Sequence, residues 1–191
     1  IGCAAGYCLE VFKTKGWIPF GIELNTEYAG QLQQNGYKVY DSPFLDISFE
    51  EKYSVITLFD VVEHLTDLQE HFIKLHSILE NDGVIVLITP DYNSLQRKLL
   101  GKKWFQFKPI EHINYFSLAT FEKLIDSTGF RIVESKKAGQ YSNTDFLTDR
   151  LKKYKFGFLI PLFNLTVKLL GLKNQDLYID TASLYVVLKK K

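Results

Sequence analysis

A doubly wound α/β domain is the fold class this sequence predicts, on three observations. Strand-like and helix-like segments alternate across the first 90 residues. Tyr53–Phe59 and Val84–Thr89 are dominated by apolar residues, the pattern of strands buried on both faces of a parallel sheet. The chain opens on a turn of small residues, Gly2-Cys3-Ala4-Ala5-Gly6, feeding a helical pattern at Leu9, Val11 and Phe12. Such a turn exposes backbone N–H groups at a helix N-terminus and has little side chain to block a ligand. It also serves as a plain strand-to-helix connection, and alone it does not choose between the two.

The 191 residues suffice for one domain with a sizeable core, and 46% hydrophobic and 24% charged residues are ordinary globular values. A net charge of +1 gives no reason to expect nucleic acid as a partner. Cys3 and Cys8 suggest neither a disulfide framework nor a zinc site; they read as reduced packing residues, which suits the cytoplasm. No secretory leader pattern is visible. Methionine is absent and no strand precedes the opening turn, so the chain reads as N-terminally truncated.

Gly16 stops the first helix, and Ile18–Ile22 reads as a short buried strand. Glu23 ends it, about 20 residues after the turn, where an acidic residue in a nucleotide-binding βαβ unit accepts hydrogen bonds from ribose hydroxyls. A helix follows over Thr26–Gln34, with Thr26 as its N-cap and Gly36 as its stop. Tyr37–Tyr40 alternates as a strand, and the loop Asp41–Glu50 carries Asp46 and Ile47. Tyr53–Phe59 delivers Asp60-Val61-Val62-Glu63-His64-Leu65 at its carboxyl end. Thr66 caps a helix reaching Glu80, with Leu68, Phe72, Leu75 and Leu79 on one face. Asn81-Asp82-Gly83 turns into Val84–Thr89, which Pro90 ends. Asp91–Leu100 reads as helix, Lys102–Phe116 as an irregular aromatic loop, Ser117–Ser127 as a helix capped by Ser117, and Phe130–Lys136 as a strand. Residues 142–154 read as a polar helix, Phe156–Leu172 as an apolar run, and Thr181–Leu188 as a final strand. The whole forms one domain over 1–191, with a helical, apolar insertion at 140–175.

Four segments carry a resemblance: Ile1-Gly2-Cys3-Ala4-Ala5-Gly6, Gly21-Ile22-Glu23, Phe59–Leu65 and Glu111-His112-Ile113-Asn114-Tyr115-Phe116-Ser117. In their order and spacing they resemble the class I S-adenosylmethionine-dependent methyltransferases, in the small-molecule and glycan-biosynthesis branch. The resemblance covers residues 1 to about 138 well and the terminal strand more loosely. It implies a Rossmann-like sheet of seven strands, mostly parallel with the last antiparallel, whose first strand is missing here. It further implies S-adenosyl-L-methionine as cofactor, with Gly2, Ala4 and Gly6 against its methionine portion and Glu23 on the ribose. Asp46 and Ile47 would lie beside the adenine, and Asp60 to His64, with Asp60, Val61 and His64 as the binding residues, along the pocket floor. Ala4 departs from the family, which has a glycine there.

Methyl transfer is an in-line displacement from a good leaving group, so the protein mainly aligns the acceptor and excludes water. A base is needed only for a hydroxyl or a protonated amine. His112 is the candidate, with Glu111 as its orienter or substitute; a packing role for His112 is the alternative. Trp104, Phe107 and Tyr115 are candidates for an acceptor wall, since aromatic faces suit sugars and rings, or else for core. His64 has a site or a packing reading. His71 and His76 share a helix at a spacing that does not align them, and no metal site is expected.

Phe156–Leu172 is too short and too interrupted, by Pro161 and Lys168, to span a membrane. A packed helix pair, a homodimer contact and an interfacial helix on lipid remain, the last favoured by Lys152, Lys153, Lys155 and Lys168. Cytoplasmic placement, with peripheral contact to the inner membrane face, follows from that last reading. Two rival functions stay open: an NAD(P)-dependent oxidoreductase, since a glycine turn and an acidic strand end serve both cofactors, and a non-catalytic membrane-associated binding module.

Overall fold

The computed structural model describes residues 1–153, 155–172 and 175–191. Seven helices and six strands alternate through the described residues. They run α1 (Tyr7–Thr14), β1 (Phe20–Ile22), α2 (Thr26–Gln34), β2 (Lys38–Tyr40), β3 (Tyr53–Phe59), α3 (Leu68–Ile78) and β4 (Leu79–Pro90). Then come α4 (Leu95–Leu100), α5 (Leu118–Asp126), β5 (Phe130–Ser142), α6 (Thr144–Lys153), α7 (Ile160–Leu169) and β6 (Leu177–Lys190). The fold is α/β, as the sequence predicts.

The sheet differs from the single seven-stranded expectation: six described strands form two sheets. β1 and β2 pair in parallel, while the larger sheet runs β3-β4-β6-β5, with β3 parallel to β4 and β6 antiparallel to both its neighbours. The core divides into two clusters, and Ile22 of β1 belongs to the larger one. Ile56, Leu58, Phe72, Leu75, Ile85, Leu87, Phe121, Phe130 and Val186 fill the larger, and Leu9, Ala29, Leu32 and Val39 the smaller. Between β1 and β3 lies a mostly apolar slot of about 150 Å³, lined by Ile22, Tyr40, Val55 and Thr57 among others. Ile1 and Gly2 close its end: the N-terminal amine donates to Thr57 O (2.8 Å) and Gly2 N–H to Ile22 O (2.8 Å).

Several element ends move for local reasons. α2 is capped by Asn25, whose side chain accepts from the Glu27 and Tyr28 N–H groups, so Thr26 is its first residue. Asp67, at φ 48° and with no side-chain cap, precedes α3, so Thr66 does not cap that helix. α3 stops at Ile78 because Leu79 pairs with Tyr53 and is already extended. The helix expected over Asp91–Leu100 begins at Leu95: the Asp91 carboxylate accepts from Asn93 N–H, Tyr92 N–H donates to Phe116 O, and Ser94 supplies the cap. Ser117 caps α5 in a reciprocal box with Thr120, as expected for that serine.

β5 and β6 are longer than their patterns suggest and pair out to Ser142–Leu177. The segment between them, carrying α6 and α7, therefore hangs from the end of a two-stranded ribbon. The expected helix 142–154 is observed as α6; its last residue, Tyr154, lies outside the described residues, as do two residues of the 140–175 insertion, Lys173 and Asn174. α7 buries only Val167, leaving Leu162 at 63% and Leu169 at 74% exposure. Ile160 and Phe163 are half-buried, so packing within the domain covers only part of its apolar run. No described helix is long and apolar enough to cross a membrane.

Candidate functional site

The opening turn gains its shape from three left-handed residues: Gly2 (φ 67°), Ala4 (φ 44°) and Gly6 (φ 84°). Glycine is required at position 2 twice over, since a Cβ there would lie 2.7 Å from Val61 Cγ2. That contact also sets Val61 against the turn. Glu23 then ties the turn to the next helix. One carboxylate oxygen accepts from Ala4 N–H (2.7 Å), the other from Asn25 N–H (2.8 Å). Asn25 in turn caps α2, so Glu23 is held at the mouth of β1 by backbone on both sides. Each oxygen keeps a lone pair, and the side chain stands at the surface.

Asp46 is exposed on a single 3₁₀ turn, Phe44–Asp46. Ile47 beside it is buried in the larger core, and its carbonyl accepts from Lys74 Nζ (2.6 Å). Its side chain is committed to packing. Asp60 stands exposed at the end of β3 with φ 53°, anchored by its N–H to Ile88 O (2.9 Å).

The second half of the site joins two segments far apart in sequence. The Ile113 and Asn114 N–H groups both donate to Glu63 O (3.0 Å each), and Asn114 Nδ2 donates to Leu65 O (2.7 Å). His64 Nδ1–H donates to Glu111 O (2.7 Å). Glu63-His64-Leu65 and Glu111–Asn114 are thereby stitched edge to edge. The rings of His64 and His112 meet at right angles, 4.8 Å between centroids. His112 Nδ1–H donates to Gln106 O (2.9 Å), and burial pulls its pKa down, so the ring is neutral near pH 7 with Nε2 carrying a lone pair.

Glu63, expected with its neighbours along the pocket floor, lies beneath the two rings and is almost fully buried. Thr89 Oγ1 donates to its Oε2 (3.0 Å), while its Oε1 has no partner among the described residues. Burial pushes its carboxyl up to about 7, with the nearby charge of Asp60 adding to the rise. Its position between two residues of interest was the available signal. Only the fold reveals that it is buried.

Glu111 itself turns outward. It is exposed and paired with Lys108 (3.1 Å), which lowers its pKa, so its carbonyl, on His64, is what reaches the cluster. Trp104 is 1% exposed, so it lies in the interior rather than on an open acceptor wall. Phe107 and Tyr115 do form a stacked pair, 5.6 Å between centroids, with Phe107 partly exposed. Of the predicted residues, the fold therefore gathers Gly2, Ala4, Glu23 and Val61 at one end. It gathers His64, His112, Phe107 and Tyr115 at the other.

A family model for a methyltransferase domain matches residues 1–135. No curated protein matches the chain. Among solved structures, a methyltransferase from Archaeoglobus fulgidus, described as S-adenosylmethionine-dependent, superposes with a TM-score of 0.63 at 19% identity, covering 100% of this chain and 83% of that one. Magnesium protoporphyrin IX methyltransferase from Synechocystis, with bound S-adenosylhomocysteine, gives 0.60 at 14% identity, covering 100% and 72%. A chain from a complex of the Haloferax volcanii Trm112 methyltransferase activator gives 0.66 at 15% identity, covering 99% and 80%. At such identities these neighbours speak for the fold.

Proposed function

The chain belongs to the methyltransferase domain family, and from that premise we propose that it transfers a methyl group from S-adenosylmethionine to an oxygen or nitrogen of a small-molecule or glycan-type acceptor. The observation that carries the cofactor half is the Glu23 carboxylate, fixed by the Ala4 and Asn25 N–H groups beside a turn almost free of side chains. Two acceptor oxygens with spare lone pairs suit a ribose diol, and the left-handed turn at Gly2, Ala4 and Gly6 leaves backbone open to the methionine portion. Asp60 and Val61 would line the floor, and exposed Asp46 would face the adenine. The bound cofactor supplies an electrophilic methyl group on a good leaving group.

The protein's own residues then orient the acceptor and exclude water. Stacked Phe107 and Tyr115 offer an aromatic face. His112 Nε2 and His64 Nε2 offer lone pairs toward the acceptor's hydroxyl or amine, each fixed by a carbonyl behind it. A neutral, buried His112 is poised to accept a proton. Calorimetry with S-adenosylhomocysteine and with NAD tests this reading; binding of the first alone is expected, and binding of NAD alone overturns it. Mass spectrometry for gain of one methyl group across candidate acceptors identifies the substrate class.

Two further assignments follow from the same reading. The slot between β1 and β3 fits an extended segment running parallel to both, since the Ile1 amine already bonds to Thr57 O on one edge and Gly2 N–H to Ile22 O on the other. The exposed apolar residues of α7, next to Lys153, Lys155 and Lys168, suit peripheral contact with an anionic membrane.

A further inference from the structure

We propose that Glu63, His64 and His112 form a site for a divalent transition-metal ion, which holds the acceptor's reacting oxygen. The acceptor role rests on the methyl-transfer reading; the ion site stands on geometry. One ligand atom from each of the three residues lies within 4.8 Å of the other two. Metal bonds of about 2.0–2.2 Å place neighbouring ligand atoms roughly 3–4 Å apart, so a contraction of at most about 1–2 Å closes the set.

Each ring is prepared in the way a ligating histidine requires. A carbonyl oxygen only accepts, so His64 Nδ1 and His112 Nδ1 must carry their protons toward Glu111 O and Gln106 O. That leaves Nε2 of each ring with its lone pair free and its orientation fixed. The third ligand explains an otherwise costly feature. Glu63 Oε1 is buried and has no partner among the described residues, although Oε2 is satisfied by Thr89. An unsatisfied buried acceptor costs about 1–3 kcal/mol, and a cation between it and two imidazoles removes that cost. The backbone bonds from Ile113 and Asn114 to Glu63 O hold the halves together without any ion.

Two nitrogens and one carboxylate oxygen favour a borderline ion, such as zinc, iron(II) or cobalt, over calcium or magnesium, which prefer all-oxygen sets. Three protein ligands leave a coordination position open, and His64 is the exposed one of the three. In this arrangement His112 is a ligand rather than the base.

The test uses the chain stripped with chelator and titrated by calorimetry with zinc and cobalt, while visible absorption follows the cobalt. Stoichiometric binding with ligand-field bands is expected. His64→Gln and His112→Gln should each weaken it by about 100-fold or more, the upper end of what loss of even an indirect ligand support does. His64 is exposed, so H64Q keeps the test valid if the buried variants fail to fold. Absence of saturable binding by the folded chain, or parental affinity in H64Q, overturns the ion site. Titrating the same sample with S-adenosylhomocysteine separates the two readings. Cofactor binding without metal defeats the ion site alone. Metal binding without cofactor defeats the methyl-transfer reading and the acceptor role, and leaves the ion site standing.

Discussion

Ala4 sits at φ 44°, in a region where an L side chain is strained and glycine is not. Ala4→Gly is therefore expected to raise stability by about 1 kcal/mol, with part of the gain offset by the unfolded chain's added freedom. Thermal melting of the two proteins checks this; an unchanged or lower Tm would show that the turn relaxes around the methyl group. Glu23 makes the opposite case, a side chain whose value lies in what it binds. Glu23→Ala should weaken S-adenosylhomocysteine binding by about 1–3 kcal/mol, the scale of charge-assisted hydrogen bonds. Calorimetry reads it directly, and parental affinity would mean that the ribose lies elsewhere. The tight turn at Gly2 and Gly6 and the place of Glu23 at a strand end were legible in the sequence because they follow from backbone conformation and from distance along the chain. The burial of Glu63 was not, because burial is a property of what packs around a residue.

At the scale of elements, the loop Lys102–Phe116 owes its position to its ends. Its last residues bond to Glu63 and Leu65, and α5 begins at once behind the Ser117–Thr120 box. Ser117→Ala should cost about 1 kcal/mol of stability, read by denaturant unfolding, through loss of the N-terminal cap. A neutral result would mean that packing of Phe121 and Ile125 fixes the helix start unaided. The ribbon of β5 and β6 sets the place of α7 in the same way, carrying its apolar residues away from the larger core. Exchanging Leu162, Leu165 and Leu169 for glutamine should abolish co-flotation with anionic vesicles while leaving the melting temperature nearly unchanged. If the parent protein does not float, the membrane assignment of α7 fails. The helix limits that the sequence misjudged at Glu80 and Asp91 failed for a shared reason: strand pairing of Leu79 and the Asp91–Phe116 bridge outcompeted local propensity.

For the whole molecule, the division into two sheets leaves a slot between them. The slot leaves apolar side chains of β1, β2 and β3 facing a gap that close packing would fill. Extending the chain before Ile1 by about five β-branched residues should add about 1–2 kcal/mol, or about 2–8 °C in Tm, from the buried apolar area less the cost of ordering. An unchanged Tm would show that the two sheets do not accept a strand between them.

The sequence by itself determined the α/β class, the order of the elements and the turn-plus-acid pair at Gly2–Gly6 and Glu23. These depend on periodicity and on neighbours close along the chain, which a linear reading contains. The tertiary structure alone decided that His64 and His112 meet over a buried Glu63, that Glu111 faces away, and that Trp104 is interior. Residues 48 positions apart become partners only when backbone bonds between two loops bring them there, and no local pattern records that pairing.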